Sequence, residues 1–486
     1  MRHLVLGPPG TGKTTRLLGV VSAALASGVP PDQIAYVSFT RAAVREARDR
    51  AAAQLRLDPA QQLPYFRTLH SLCFQQLGLR SSEVFTRRHY EAFGELVGET
   101  LTGALDLEAP ASDSGDGLLH LDHYARVTQT ALAEAWRDHG GDIDWWRLQR
   151  FNEAYRLFKQ DSGLLDFTDM LARYVDHGES VPVQLAIIDE AQDLTPLQWQ
   201  VVRRAFGDVP QLYAAGDDDQ TIFRWSGADP SRLISWRGSV EVLPHSYRLP
   251  AAIWALAGDV SARMERRAPK AWRARQGDPG RVEWIRDVDE VDLSSGKWLL
   301  LARTRRQLTQ LRDVARHQGV AYWSRGQSSI DPVILRTIQA YETLRAGRPV
   351  SGDDASNVLA AFGVGTTLPG ELDFTSTDLE AYGGTFTEIW HDALRGIALD
   401  DREYYLACLR RGEKLTETPR VRIETIHGSK GLEADHVLLQ TTTTGRIQRG
   451  FELDPDSEHR VFYVGVTRAR QSLWVQQPTG PHGYQL

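Results

Sequence analysis

Apolar residues in this chain fall into short runs separated by longer stretches where they recur every three or four positions. RHLVL (2–6), IAYVSF (34–39), LAIIDE (185–190) and QLYAAGD (211–217) are such runs. Their length and near-continuous apolar character fit strands covered on both faces. The pattern becomes helical after Thr14 and again in RAAVREARDRAAAQL (41–55). Strands alternating with helices predict a parallel sheet sandwiched by helices. From about residue 85 to 164 the chain is helical, interrupted by ASDSGDG (111–117), which reads as a loop. A second alternating unit begins near 243, with strands at WLLLAR (298–303), VRIETI (421–426), HVLLQ (436–440) and SLWVQQ (472–477). The expected organisation is a first α/β domain of 1–84 and 165–242 with 85–164 as its helical insertion. A second α/β domain of 243–328 and 420–486 follows, with a small helix-rich insertion at 329–419.

Composition narrows the class only a little. The chain has 486 residues, more than one ordinary core organises. It is 42% hydrophobic and 24% charged, as soluble globular proteins are. No apolar run approaches the roughly 18 residues needed to span a bilayer. The N-terminal MRHLVLGPPG has too short an apolar part for a signal peptide. Cys73 and Cys408 are the two cysteines, without metal-ligand spacing, which suits a cytoplasmic protein without disulfides. The net charge of −7 argues against a generally basic coat and leaves room for a local basic channel. Of 56 basic residues 50 are Arg and 6 are Lys, a bias that suits phosphate recognition but also follows from arginine-rich codon usage.

The chemistry starts at GPPGTGKT (7–14), between the first strand and the first helix. Gly7, Gly10 and Gly12 let backbone N–H groups turn inward around phosphate oxygens, with Pro8, Pro9 and Thr11 completing the loop and Thr15 following it. Lys13 is placed to reach the β- and γ-phosphates and the Thr14 hydroxyl to ligate Mg²⁺. IIDEAQD (187–193) ends an apolar strand in two carboxylates. Asp189 is expected to hold the metal through water, and Glu190 to orient or deprotonate the attacking water. An arginine must stabilise charge on the transferred group, and Arg248 and Arg468 are the candidates. GDDDQTIFRWSG (216–227) sets three aspartates and a glutamine beside Phe223, Arg224 and Trp225. ARMERRAPKAWRAR (262–275) is the densest basic stretch and reads either as a phosphate-tracking surface or as a solvated face. The paired tryptophans of IDWWRLQRF (143–151) read as core anchors.

Taken in order, these segments resemble the UvrD/Rep family of superfamily 1 DNA helicases over nearly the whole chain. Beside the phosphate loop stand YVSFTRAAVREARDR (36–50), RTLHSLCF (67–74), LLDFTDML (164–171), DEAQD (189–193), GDDDQTIFRWSGAD (216–229), SYR (246–248), TIHGSKGLEADHV (425–437) and YVGVTRAR (463–470). The resemblance implies two RecA-like P-loop NTPase domains with parallel sheets, each carrying a helical insertion. It implies ATP and Mg²⁺ as cofactors, and single-stranded DNA and single/double-strand junctions as partners. It places Gln192 and Gln220 at the γ-phosphate and stacks Tyr247 on the ATP base. Arg248 and Arg468 would reach the γ-phosphate from the second domain, where Gly431 and Glu433 line the nucleotide. Phe39, Thr40, His70, Phe223, Trp225 and Thr425 would face the strand. Base–aromatic stacking tolerates any sequence, so Phe223 and Trp225 would form a platform that moves when Gln220 reports hydrolysis.

The expected activity is ATP-driven 3′ to 5′ movement on single-stranded DNA with duplex separation. Two alternatives stand beside it: a strand translocase with little unwinding, or a P-loop ATPase that loads other components of a replication or recombination complex. The sequence departs from the family in several places, among them SYRLP (246–250), which lacks the usual polar residue after the arginine. Six residues precede Gly7, so a counterpart of the family's upstream glutamine segment is not expected. Ser226 replaces a basic residue, and the second insertion is small.

Overall fold

The computed structural model describes residues 1–38, 41–55, 58, 62–103 and 114–486. Phe39 and Thr40 lie outside the described residues. The chain forms two compact units, one of Met1–Pro279 with Arg449–Thr467 and one of Gly280–Gln448 with Arg468–Leu486.

The first unit is built on β1 (Arg2–Leu6), β2 (Ile34–Ser38), β3 (Phe66–Thr68), β4 (Leu185–Asp189), β5 (Gln211–Gly216) and β6 (Ser239–Val242). They run parallel in the order β3-β2-β4-β5-β1-β6. Side-chain alternation sorts the strand residues onto two faces. Leu4, Leu6, Ala35, Val37, Ala186 and Ile188 pack with Leu72, Leu171, Tyr174 and Val202 of helices Leu69–Gln76, Phe167–His177 and Pro196–Phe206. Val5, Ile34, Tyr36, Leu185 and Ile187 pack with Leu17, Leu18 and Val21 of helix Lys13–Ala26. Covering both faces is what lets the strands be continuously apolar. β4, β5 and β1 are neighbours, so the segments that follow Leu6, Asp189 and Gly216 all leave the same edge of the sheet.

Helices Arg87–Val97, Gly115–Thr128, Leu132–His139 and Trp145–Ser162 share a core of Phe93, Leu118, Leu121, Leu148, Phe151 and Tyr155. Two local expectations are corrected. The helix capped by Ser114 starts at Gly115 and takes over the end of the expected loop. Trp145 does pack on this core, 5.4 Å from Trp136, whereas Trp146 on the next helical position points outward and is 69% exposed. Asp166 ties this helical group to the sheet. It caps helix Phe167–His177 and accepts hydrogen bonds from Arg126, Lys159 and Tyr155.

The first unit runs past Val242 to Pro279. Helix Ala251–Ala262 packs against helix Pro455–Val466, and residues 267–270 close on the aspartates that follow β5. These contacts hold residues 244–279 to the first sheet.

In the second unit β7 (Arg281–Ile285), β8 (Trp298–Ala302), β9 (Tyr322–Ser324) and β10 (Gln327–Ser328) come first. β11 (Val350–Ser351) and β12 (Asp373–Phe374) then pair antiparallel within a helix-rich stretch that includes Pro332–Arg345, Gly352–Ala361 and Leu399–Arg410. β13 (Val421–Thr425), β14 (Ala434–Gln440) and β15 (Ala469–Gln476) complete a sheet ordered β10-β9-β13-β8-β14-β15-β7. It is parallel apart from the β9–β10 hairpin. Its core joins Leu300, Leu311 and Ile423 to Tyr341, Leu359 and Tyr405 of the helix-rich stretch. The two parallel-sheet α/β domains expected from the pattern are both present. Among the described residues no helix is long and apolar enough to cross a membrane.

Candidate nucleotide and nucleic-acid site

The phosphate loop begins where β1 ends. The Gly7 amide donates to the Gly216 carbonyl at 3.0 Å, fixing the loop to β5. Gly10 and Gly12 have φ of 71° and 80°, in the left-handed region that glycine occupies without strain. Gly12 caps helix Lys13–Ala26 with no side-chain cap and no acidic residue in the first turn. The leading N–H groups and the positive end of the helix are therefore available to an anion. Lys13 Nζ donates to the Gly7 carbonyl at 2.8 Å and the Thr11 hydroxyl to Pro8 at 2.7 Å. Thr14 is half-buried beside them, and Thr15 accepts from Arg50 at 3.0 Å.

The SYR segment sits directly on this loop. Ser246 Oγ donates to the Pro9 carbonyl and the Tyr247 amide to Gly10, both at 2.8 Å. A Cβ on Gly10 would lie 2.3 Å from Cβ of Arg248, so this glycine is needed for close approach as well as for its φ. Tyr247 is 71% exposed, with its ring beside Gly12. A large aromatic left in solvent against a phosphate loop is suitably placed to stack on a base. The Arg248 guanidinium donates to the Thr467 carbonyl at 3.4 Å within the same unit.

β4 delivers the acidic pair. Asp189 is buried and accepts from Tyr36 Oη at 2.6 Å and from the Glu190 amide at 2.9 Å. Burial, then repulsion from Glu190, lifts Asp189 to about 6, while the Tyr36 hydrogen bond and the Lys13 charge pull it back. Glu190 has φ of 53°, a conformation that costs a non-glycine residue energy and recurs at functional sites. Its carboxylate accepts from Gln192 Nε2 at 2.5 Å. An incompletely neutralised buried carboxylate and a threonine hydroxyl are oxygen donors of the kind Mg²⁺ takes. Thr14 and Asp189 would hold the ion, which would draw negative charge off the phosphate oxygens.

β5 delivers the third segment. The Asp217 amide donates to Gln192 Oε1 at 3.2 Å, and Gln220 Nε2 donates to Asp217 Oδ2 at 2.8 Å. Gln192 and Gln220 are thereby joined through one aspartate. Asp217, Asp218 and Asp219 are fully buried, and Lys270 Nζ lies 3.0, 2.5 and 2.9 Å from them. Arg267 grips both oxygens of Asp219 at 3.0 and 2.6 Å. The basic stretch 262–275 is thus neither a phosphate-tracking surface nor a solvated face at these two positions; both side chains turn inward.

Phe223 and Trp225 follow on a single turn, half-buried, edge to face at 5.7 Å. Arg224 between them pairs with Asp454. His70, half-buried, sits edge-on to Phe167 at 5.7 Å, and burial lowers it to about 4, so it is neutral at physiological pH. The remaining expected residues belong to the second unit. Thr425 ends β13, buried, and accepts from the Gly428 amide at 3.0 Å. Gly431 has φ of 84°, Glu433 pairs with Arg470 at 2.7 Å, and the buried Arg468 donates to Leu432 at 3.3 Å.

Sequence reasoning did not assign Tyr36, Arg267 or Lys270 to this site, although the last two lie in the basic stretch 262–275. The signal for Tyr36 is a phenol inside a largely apolar strand run, and for Arg267 and Lys270 the density of basic residues around them.

The same two-part layout appears in comparisons with known proteins. The profile of the UvrD/REP helicase N-terminal domain matches residues 1–240, and that of the UvrD-like helicase C-terminal domain matches 405–478. The chain belongs to the UvrD/Rep helicase family. It is 26% identical to the ATP-dependent DNA helicase UvrD2 of Mycobacterium tuberculosis, over 96% of this chain and 75% of that protein. The putative ATP-dependent DNA helicase YjcD of Bacillus subtilis is 24% identical over 99% and 77%. The ATP-dependent DNA helicase PcrA of Bacillus subtilis is 24% identical over 76% of this chain and 52% of that protein. Membership makes the chain an ATP-hydrolysing helicase with two RecA-like domains.

Proposed function

We propose that this UvrD/Rep helicase, with ATP and Mg²⁺, moves 3′ to 5′ on single-stranded DNA and separates duplex at single/double-strand junctions. Lys13 holds the β- and γ-phosphates, Thr14 and Asp189 the metal, and Glu190 takes the proton of the attacking water. Gln192 and Gln220 face the γ-phosphate, Arg248 and Arg468 stabilise the transferred phosphoryl group, and Tyr247 stacks on the base. Gly431 and Glu433 line the nucleotide. His70, Phe223, Trp225 and Thr425 contact the strand.

What supports the reading is the short path from Gln220, hydrogen-bonded to Asp217, to the aromatic pair three and five residues later. A change at the γ-phosphate has only one turn of backbone to cross before it moves the Phe223–Trp225 platform. Stacking on such a platform contributes about 1–3 kcal/mol per base. The test is steady-state ATP hydrolysis with and without single-stranded DNA, using Lys13→Ala as the blank, then unwinding of duplexes with 3′ or 5′ tails. Strong stimulation and preference for the 3′ tail are expected. Trp225→Ala should leave nucleotide affinity intact and lower stepping per ATP. Hydrolysis indifferent to DNA would overturn the reading in favour of a loading ATPase.

A further inference from the structure

The ligand oxygens of Asp217, Asp218 and Asp219 lie within 4.8 Å of one another, the arrangement of a metal cage. Three buried carboxylates this close cannot all ionise without a cation among them. The chain supplies that cation itself. Lys270 has a fully buried side chain, and its ammonium bonds all three. Arg267 takes both oxygens of Asp219, the Ala268 amide donates to Asp218 Oδ2 at 2.7 Å, and Arg460 Nε donates to the Asp218 carbonyl at 3.0 Å. Asp217 is the member that faces the nucleotide side. One oxygen meets Lys270 at 3.0 Å and the other accepts from Gln220 at 2.8 Å. Its amide holds Gln192, which in turn holds Glu190.

We propose that Lys270 is a positioning residue for ATP hydrolysis: an internal cation that fixes Asp217 and, through it, the side chain of Gln220. The choice of lysine in a chain with 50 arginines among 56 cations has a geometric reason. An ammonium directs three protons to three separate carboxylates. A planar guanidinium matches the two oxygens of one carboxylate, which is how Arg267 meets Asp219. Arginine at 270 therefore keeps the charge but loses the three-way fit. The same ammonium occupies the position a divalent ion would need, so the acidic triad takes no metal.

The proposal rests on the reading of Gln220 as a residue that faces the γ-phosphate. The experiment is a double-mutant cycle in the full chain between Lys270→Arg and Gln220→Ala, with kcat and KM for ATP measured at saturating single-stranded DNA and thermal unfolding followed for each variant. Misplacement of a catalytic group by about 1 Å costs on the order of 10²-fold. The expected result is a kcat for Lys270→Arg lowered by about that factor with KM within about twofold of the parent, and a double variant no slower than Gln220→Ala alone. Asp217→Asn, which relieves the triad of one charge, is expected to follow the same pattern with an unfolding midpoint close to the parent's. If Gln220→Ala leaves kcat unchanged, the reading of Gln220 fails and the proposal with it. If Gln220→Ala slows hydrolysis but Lys270→Arg and Asp217→Asn lower kcat equally in both backgrounds, or not at all, only the assignment of Lys270 is overturned.

Discussion

β4 and β5 are adjacent strands, and each ends in a buried acidic group, yet the two groups are treated in opposite ways. After β5, three aspartates meet a lysine and an arginine that reach them from residues 267–270. Burial opposes ionisation of the triad, but the Lys270 ammonium holds Asp217 below the usual carboxylate range; Asp219 is raised by burial and by its two acidic neighbours despite Lys270 and Arg267, and Lys270 itself is pushed up. After β4, Asp189 has a phenol and a backbone amide for company, and its proton affinity rises. The difference shows that acidity alone does not mark a metal site. Where the fold provides its own cation, the acids are scaffold. Where it leaves the charge incompletely compensated and bends Glu190 into a left-handed conformation, the acids carry the features that recur at functional sites.

The contrast can be broken by substitution. The largest effect falls on the β4 pair: Glu190→Gln should lower steady-state ATP hydrolysis by about 10²–10⁴-fold, with unfolding unchanged. The next falls on the triad. Lys270→Met removes one partner from a buried charge cluster, and urea unfolding should report a loss of about 3–5 kcal/mol. A third variant sharpens the β4 side. Tyr36→Phe removes a donor to a carboxylate, an interaction of about 1.5–3 kcal/mol, and should raise the Mg²⁺ needed for half-maximal hydrolysis by roughly tenfold. The smallest effect has the opposite sign. Asp189 has a folded pKa raised above its unfolded value, so the stability it contributes is present below the unfolded value and is lost as pH rises through about 6. In metal-free buffer at pH 7, Asp189→Asn should therefore raise the unfolding midpoint by about 2–4 °C, whereas Asp218→Asn should not.

Much of this was legible from the chain, and what was not had a common cause. The glycines of the phosphate loop, the acidic strand end and the glutamine after β5 are local in sequence, because each turn must present its own backbone and side chains to a phosphate. Their order also made the family resemblance visible. Lys270 and Tyr36 work over separations of 50 residues or more, in contacts that only the sheet order creates. A lysine in ARMERRAPKAWRAR looks like any solvated cation until its side chain is seen to be fully buried. Arg460 was hidden for the same reason, inside helix Pro455–Val466 but bonded to the Asp218 carbonyl. The strand pattern pauses at 242/243, whereas residues 244–279 belong to the first compact unit.

The scarcity of lysine has one more consequence. To a reagent that acylates primary amines, this molecule offers six side chains. Lys159 is buried against Asp166, and Lys270 is sealed inside the aspartate triad. Of the four others, Lys13 stands in the phosphate loop. Lys297 and Lys414 are exposed and serve as internal references, so nucleotide occupancy is expected to be read as loss of acylation at Lys13 while those two side chains stay constant.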